Sequence, residues 1–115
     1  MKEKLNEIIG KKVFKVWRGG GSVIFVEFDG YNLMVEGDWV LKKARERILH
    51  NFKSTYEEID EGLNSLVGTN LKKVEELNEE TVALVFSDSY VLEVCKRDEF
   101  WVVLSSMTSN TTIVG

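Results

Sequence analysis

A chain of 115 residues bounds a single domain, long enough to bury roughly two thirds of its unfolded surface. Its apolar share of 43% is ordinary for a soluble globule, no eighteen-residue apolar run could span a bilayer, and the charged start MKEKLNEIIG lacks the apolar core of a secretion signal, so a cytoplasmic chain without membrane contact is expected. A single cysteine, Cys95, excludes an internal disulfide, and the net charge of −4 disfavours nucleic acid as a partner.

Taken in order, residues 1–9 read as a short helix. Leu5, Ile8 and Ile9 recur at helical spacing, and Gly10 supplies a C-terminal stop. Residues 11–17 read as a strand around Val13 and Val16. The Arg18-Gly-Gly-Gly-Ser22 stretch is a loop between strands. It lacks the Gly-Lys-Ser/Thr ending and the following helix that a phosphate loop needs. Ile24, Val26 and Phe28, then Leu33 and Val35, alternate about Asp29-Gly30, the signature of a hairpin. After Gly37-Asp38 a further run begins with Trp39 and Leu41. Residues 42–47 are basic on balance and read as a solvated bend, followed by a short strand at Ile48-Leu49. Proline is absent, as suits a chain of paired strands.

Two overlapping capping boxes, Ser54-x-x-Glu57 and Thr55-x-x-Glu58, open a second helix. Its apolar face is Tyr56, Ile59, Leu63, Leu66 and Val67, and Gly68 ends it. Gly62 on that face leaves room for a strand to approach closely. Residues 69–77 read as a strand. Residues 81–104 then repeat the spelling of 23–41: Val82, Leu84 and Phe86 echo Ile24, Val26 and Phe28, while Tyr90, Leu92 and Val94 echo Tyr31, Leu33 and Val35. Trp101 and Val103 are aligned with Trp39 and Leu41. Upstream, Leu63-Asn64-x-x-Val67-Gly68 echoes Leu5-Asn6-x-x-Ile9-Gly10. A spelling that recurs once, near sixty residues apart, indicates duplication.

The expected fold class is therefore α+β: two pseudo-symmetric helix-plus-antiparallel-strand repeats, about 1–50 and 54–104, sharing one core. Trp39 and Trp101 are expected in equivalent buried places. The polar segment 105–115 is either a frayed tail or, through its Thr-Ile-Val, an edge strand.

No catalytic, cofactor-binding or metal-binding set emerges. His50 is the only histidine, and Asn51, Lys53 and Ser54 around it offer no ligand pattern. Cys95 has Lys96-Arg97 beside it but no histidine placed to activate it. The charge is unevenly shared. Residues 1–58 hold eleven Lys/Arg against nine Asp/Glu, net +2, and residues 59–115 hold four against ten, net −6. The acidic second half makes Glu75, Glu76, Glu79, Glu80, Asp88, Asp98 and Glu99 the candidate partner-binding residues, facing a basic protein.

The pattern Ile9-Gly10-Lys11-Lys12-Val13, Phe28-Asp29-Gly30-Tyr31-x-Leu33-x-Val35, Trp39-x-Leu41 and Leu63-x-x-Leu66-Val67-Gly68 resembles a group of small uncharacterised bacterial two-repeat domains. Some members of that group lie beside polymorphic toxin genes. The resemblance therefore implies an immunity-type inhibitor of a basic toxin or nuclease, not an enzyme. It carries over no functional residue, and Thr69-Asn70 departs from it where Lys11-Lys12 fits. The competing expectation is a small-ligand or regulatory domain using Tyr31, Tyr90 or His50. A homodimer through a sheet edge is compatible with either.

Overall fold

A computed structural model describes residues 2–20, 23–36, 38–50, 54–95, 102–106 and 112–114, of which 2–4, 50, 106 and 112–114 are described as backbone only, and among the described residues there are ten short strands and one α-helix. The strands are β1 (Val13–Arg18), β2 (Ile24–Phe28), β3 (Tyr31–Val35), β4 (Asp38–Lys43) and β5 (Glu46–His50), then β6 (Leu71–Asn78), β7 (Thr81–Phe86), β8 (Tyr90–Cys95), β9 (Val102–Ser106) and β10 (Thr112–Val114). Helix α1 (Tyr56–Leu63) precedes β6 and continues into a 3-10 turn, Asn64–Leu66.

This corrects the expected α+β class. The architecture is mostly antiparallel β, in two five-stranded sheets ordered β1-β2-β3-β9-β10 and β5-β4-β8-β7-β6. The helix expected at residues 1–9 is a 3-10 segment, Lys2–Ile8. Nor does either half form a unit with a sheet of its own. Each sheet takes three consecutive strands from one half of the chain and two from the other. β4 leaves β3 and pairs with β8, while β9 pairs with β3. Where the halves meet, the backbone bonds are reciprocal. Gly10 donates to the Leu71 carbonyl at 2.7 Å and Gly68 to the Val13 carbonyl at 2.9 Å. Leu71 donates to Lys11 at 3.0 Å and Val13 to Thr69 at 2.8 Å. Gly10 and Gly68 each hold a left-handed φ, +88° and +91°, which glycine adopts without steric cost.

The core follows from alternation. Ile24, Val26 and Phe28 on β2, Leu33 and Val35 on β3, and Trp39 and Leu41 on β4 are all buried, as their spacing predicts. Val82, Leu84, Phe86, Leu92 and Val94 meet them from the other half in the same hydrophobic cluster. On β9 the expected alignment is one residue out. Val102 and Leu104 are buried and Val103 is half-buried. Val35 faces Val102 across one sheet, and Val94 faces Trp39 across the other. The counterpart of Trp39 on β9 is therefore Val102, not residue 101. With a side-chain period of two, aligning the tryptophans by identity sends the whole strand to the wrong face. Trp101 itself lies outside the described residues. Thr112–Val114 adds an edge strand beside β9, which decides between the two readings of that segment.

Helix α1 is opened by Thr55. Its hydroxyl accepts from the Glu58 amide at 3.1 Å, and the Glu58 carboxylate accepts from the Thr55 amide at 2.9 Å. These bonds hold the Glu58 carboxyl below the ordinary range. Of the predicted apolar face, Ile59, Leu63 and Leu66 are buried, but Tyr56, at the start of the helix, and Val67, beyond its end at Leu63, are exposed. A β-carbon on Gly62 would collide with the buried side chain of Leu49 on β5. Gly62→Ala therefore sets a helix-propensity gain of about 1 kcal/mol against overpacking of roughly 1–3 kcal/mol. The expected outcome is a lower urea midpoint, and a smaller drop when Gly62→Ala is made in a Leu49→Ala background than in the parent chain. Elsewhere an alanine in place of a helical glycine would stabilise.

Candidate functional site

The acidic residues singled out in the sequence do not form one patch. β6 lies at the edge of its sheet and turns into β7 at Glu79-Glu80. Glu76, Leu77, Glu79 and Glu80 are exposed along this hairpin, and Leu77 is half exposed at 50%. The Glu80 amide donates to Asn78 Oδ1 at 2.8 Å, which shapes the turn. Glu75 is half-buried on the outer face and forms an ion pair with Lys73. The Lys42–Glu93 pair at 2.9 Å is a second ion pair on that face, with Ala83 between Glu75 and Glu93 in the register. Asp88 is at the other end of β7, in the turn to β8, about 20 Å from Glu80 by strand rise. Asp98 and Glu99 lie outside the described residues.

The turn holding Asp88 is strained. Asp88 and Ser89 have φ of 61° and 67°, and the neighbouring β4–β5 turn places Ala44 and Arg45 at 51° and 72°. Two-residue hairpin turns with both central residues left-handed match the strand twist, but they are usually built with glycine. The two turns are joined where Ala44 donates to the Ser89 carbonyl at 3.1 Å. Lys43 Nζ lies 4.7 Å from the centroid of the Tyr90 ring. The basic stretch 42–47 is thus a hairpin whose first two lysines are engaged by Glu93 and Tyr90, not a bend.

A second feature was not legible in the sequence. Between β1 and α1 lies an open concavity of about 300 Å³, lined by Val16, Trp17, Arg18, Asp60, Leu63 and Asn64. Arg18 Nε donates to Asp60 Oδ1 at 3.0 Å. Its guanidinium also donates to the Gly19 carbonyl at 3.3 Å and stacks 4.2 Å from the Tyr56 ring centroid. Trp17 stacks on Phe25 with centroids 5.1 Å apart, and Lys15 Nζ sits 5.1 Å from the indole centre. The only sequence signals were the spacing of Tyr56, Asp60 and Asn64 along one helix stripe and an arginine ending a strand. Nothing local joined them across 42 residues.

The other candidates are not brought together. Tyr31 is on β3 and Tyr90 on β8, in different sheets, and neither lines the concavity. The Tyr31 hydroxyl donates to Glu7, and that bond, with burial and the carboxylate charge, pushes its pKa up. The side chain of His50 lies outside the described residues. Cys95 is exposed, with Sγ 3.6 Å from Thr81 Oγ1. Among the described residues no group of three or more His, Cys, Asp or Glu side chains is placed to hold a metal ion. No helix among them is long and apolar enough to cross a membrane. Comparison of the chain with protein-family models, with curated proteins and with solved structures returns no match.

Proposed function

We propose that the protein is a cytoplasmic protein-binding module, an immunity-type inhibitor that docks on a basic toxin or nuclease. The observation that carries this reading is the β6–β7 hairpin, where Glu76, Glu79 and Glu80 and the apolar Leu77 are all exposed at the end of an edge strand. Exposed carboxylates beside an exposed apolar side chain fit a cationic protein surface. Opposite charge speeds encounter and selects the partner, while the apolar contact slows release. The net charge of −6 over residues 59–115 extends the field beyond the hairpin.

The test is affinity capture of a stoichiometric basic protein from the native cytosol, followed by charge reversal. Glu76→Lys with Glu79→Lys should slow association with that protein by about tenfold at low salt and flatten its salt dependence. An unchanged on-rate removes the hairpin from the footprint.

The concavity between β1 and α1 favours a second reading, a small-ligand domain. About 300 Å³ with an arginine, an aspartate and an indole in its wall is at the lower end of ligand-pocket sizes. A compound retained in native mass spectrometry of the purified chain, with no captured protein, would support it.

A further inference from the structure

The concavity between β1 and α1 has a preferred sign of charge. Arg18 brings one positive charge, but it is committed to Asp60 at 3.0 Å, to the Gly19 carbonyl and to the face of Tyr56. An anion would have to displace Asp60 to reach it. Besides Asp60, α1 carries Glu57, Glu58 and Glu61, the second of them tied to the Thr55 cap, and it contains no basic residue. Asn64, the C-cap residue of α1, lines the concavity, so the negative end of the helix dipole also lies at this wall. A cation competes with Arg18 for Asp60 but can share the carboxylate without displacing it. The Asp60 side chain is 54% exposed, and a carboxylate accepts about four hydrogen bonds, of which Arg18 takes one. Trp17, stacked on Phe25 and with Lys15 over its ring, borders the concavity with its aromatic edge. Val16 and Leu63 line the remainder with hydrocarbon.

We infer that this concavity is a socket for a lysine or arginine side chain of a basic protein partner. The aliphatic stem would lie along Val16, Leu63 and Trp17, with the charged head on Asp60 and the Asn64 amide oxygen. The volume suits one long side chain, and the tryptophan and arginine in its wall are residue types that dominate interface energetics. The inference rests on the proposed reading in requiring a basic partner, but it uses a different surface from the β6–β7 hairpin.

The test needs no partner. A hexa-arginine peptide is titrated into the full-length protein and followed by the Trp17 indole N–H and Asn64 side-chain amide resonances. The expected result is saturable movement of both. Asp60→Asn should weaken binding about tenfold, the loss of one charge-assisted contact. Arg18→Gln should tighten it several-fold, because a competing cation is removed from Asp60. Backbone resonances of α1 report whether either variant disturbs the fold. The inference is overturned if the peptide moves only the hairpin resonances, if Asp60→Asn binds as the parent does, or if Arg18→Gln weakens binding, as it would at an anion site. Tighter binding of spermine than of the peptide overturns the protein source. Because hairpin reversal does not enter the titration, failure here leaves the captured-partner experiment to be judged separately.

Discussion

Trp39→Ala lowers stability by about 3–5 kcal/mol, a large share of the roughly 5–15 kcal/mol available to a domain of this kind. The indole is fully buried and among the largest side chains of the core. It is the second residue of β4, just after the crossing from β3 in one sheet to β4 in the other, opposite Val94 on β8. Truncation therefore leaves a cavity at the point where the chain is committed to its second sheet. Close packing lets the surroundings collapse only partly into such a space. The urea midpoint should fall with the slope of the transition unchanged, and the melting temperature should drop by roughly 10–25 °C. Trp39→Phe, which retains most of the apolar volume, should fall between the two. A Trp39→Ala protein that melts like the parent would place the ring outside the core.

Alternation of side chains made the inward faces of β2, β3, β4, β7 and β8 legible, because a half-buried strand must place every second residue on the core. The Thr55–Glu58 capping box and the left-handed glycines at 10 and 68 were legible for the same local reason. Periodicity states which face is buried, and is silent about which strand lies alongside. The exchange of β4 and β9 between sheets therefore left no local trace. Leu5 and Ile8 are three apart, a spacing that suits a 3-10 turn as well as an α-helix. The left-handed turn at Ala44-Arg45 carries no glycine to announce it. The socket is the extreme case. Arg18 ends a strand and Asp60 sits in a helix whose other carboxylates are exposed, so neither residue is marked until the fold joins them.

Cutting the chain between residues 53 and 54 should give two fragments that are each unfolded alone and that fold on mixing. In the first fragment β4 would lose β8 and β3 would lose β9. Trp39 and Leu41 would then have no sheet to face, and in the second fragment Val102 and Leu104 would be stranded likewise. Burying four such side chains contributes about 6–12 kcal/mol, similar to the entire stability of the domain. A sixty-residue fragment already buries a smaller fraction of its surface than the whole chain, so it has no reserve to absorb that loss. Equimolar mixing should restore the native far-ultraviolet and near-ultraviolet circular dichroism, with a midpoint that rises with concentration. Two helix-plus-strand units of the kind the sequence suggested would behave differently, each melting cooperatively by itself. That outcome would remove the strand exchange. It would also remove the socket, whose two walls come from β1 in one fragment and α1 in the other.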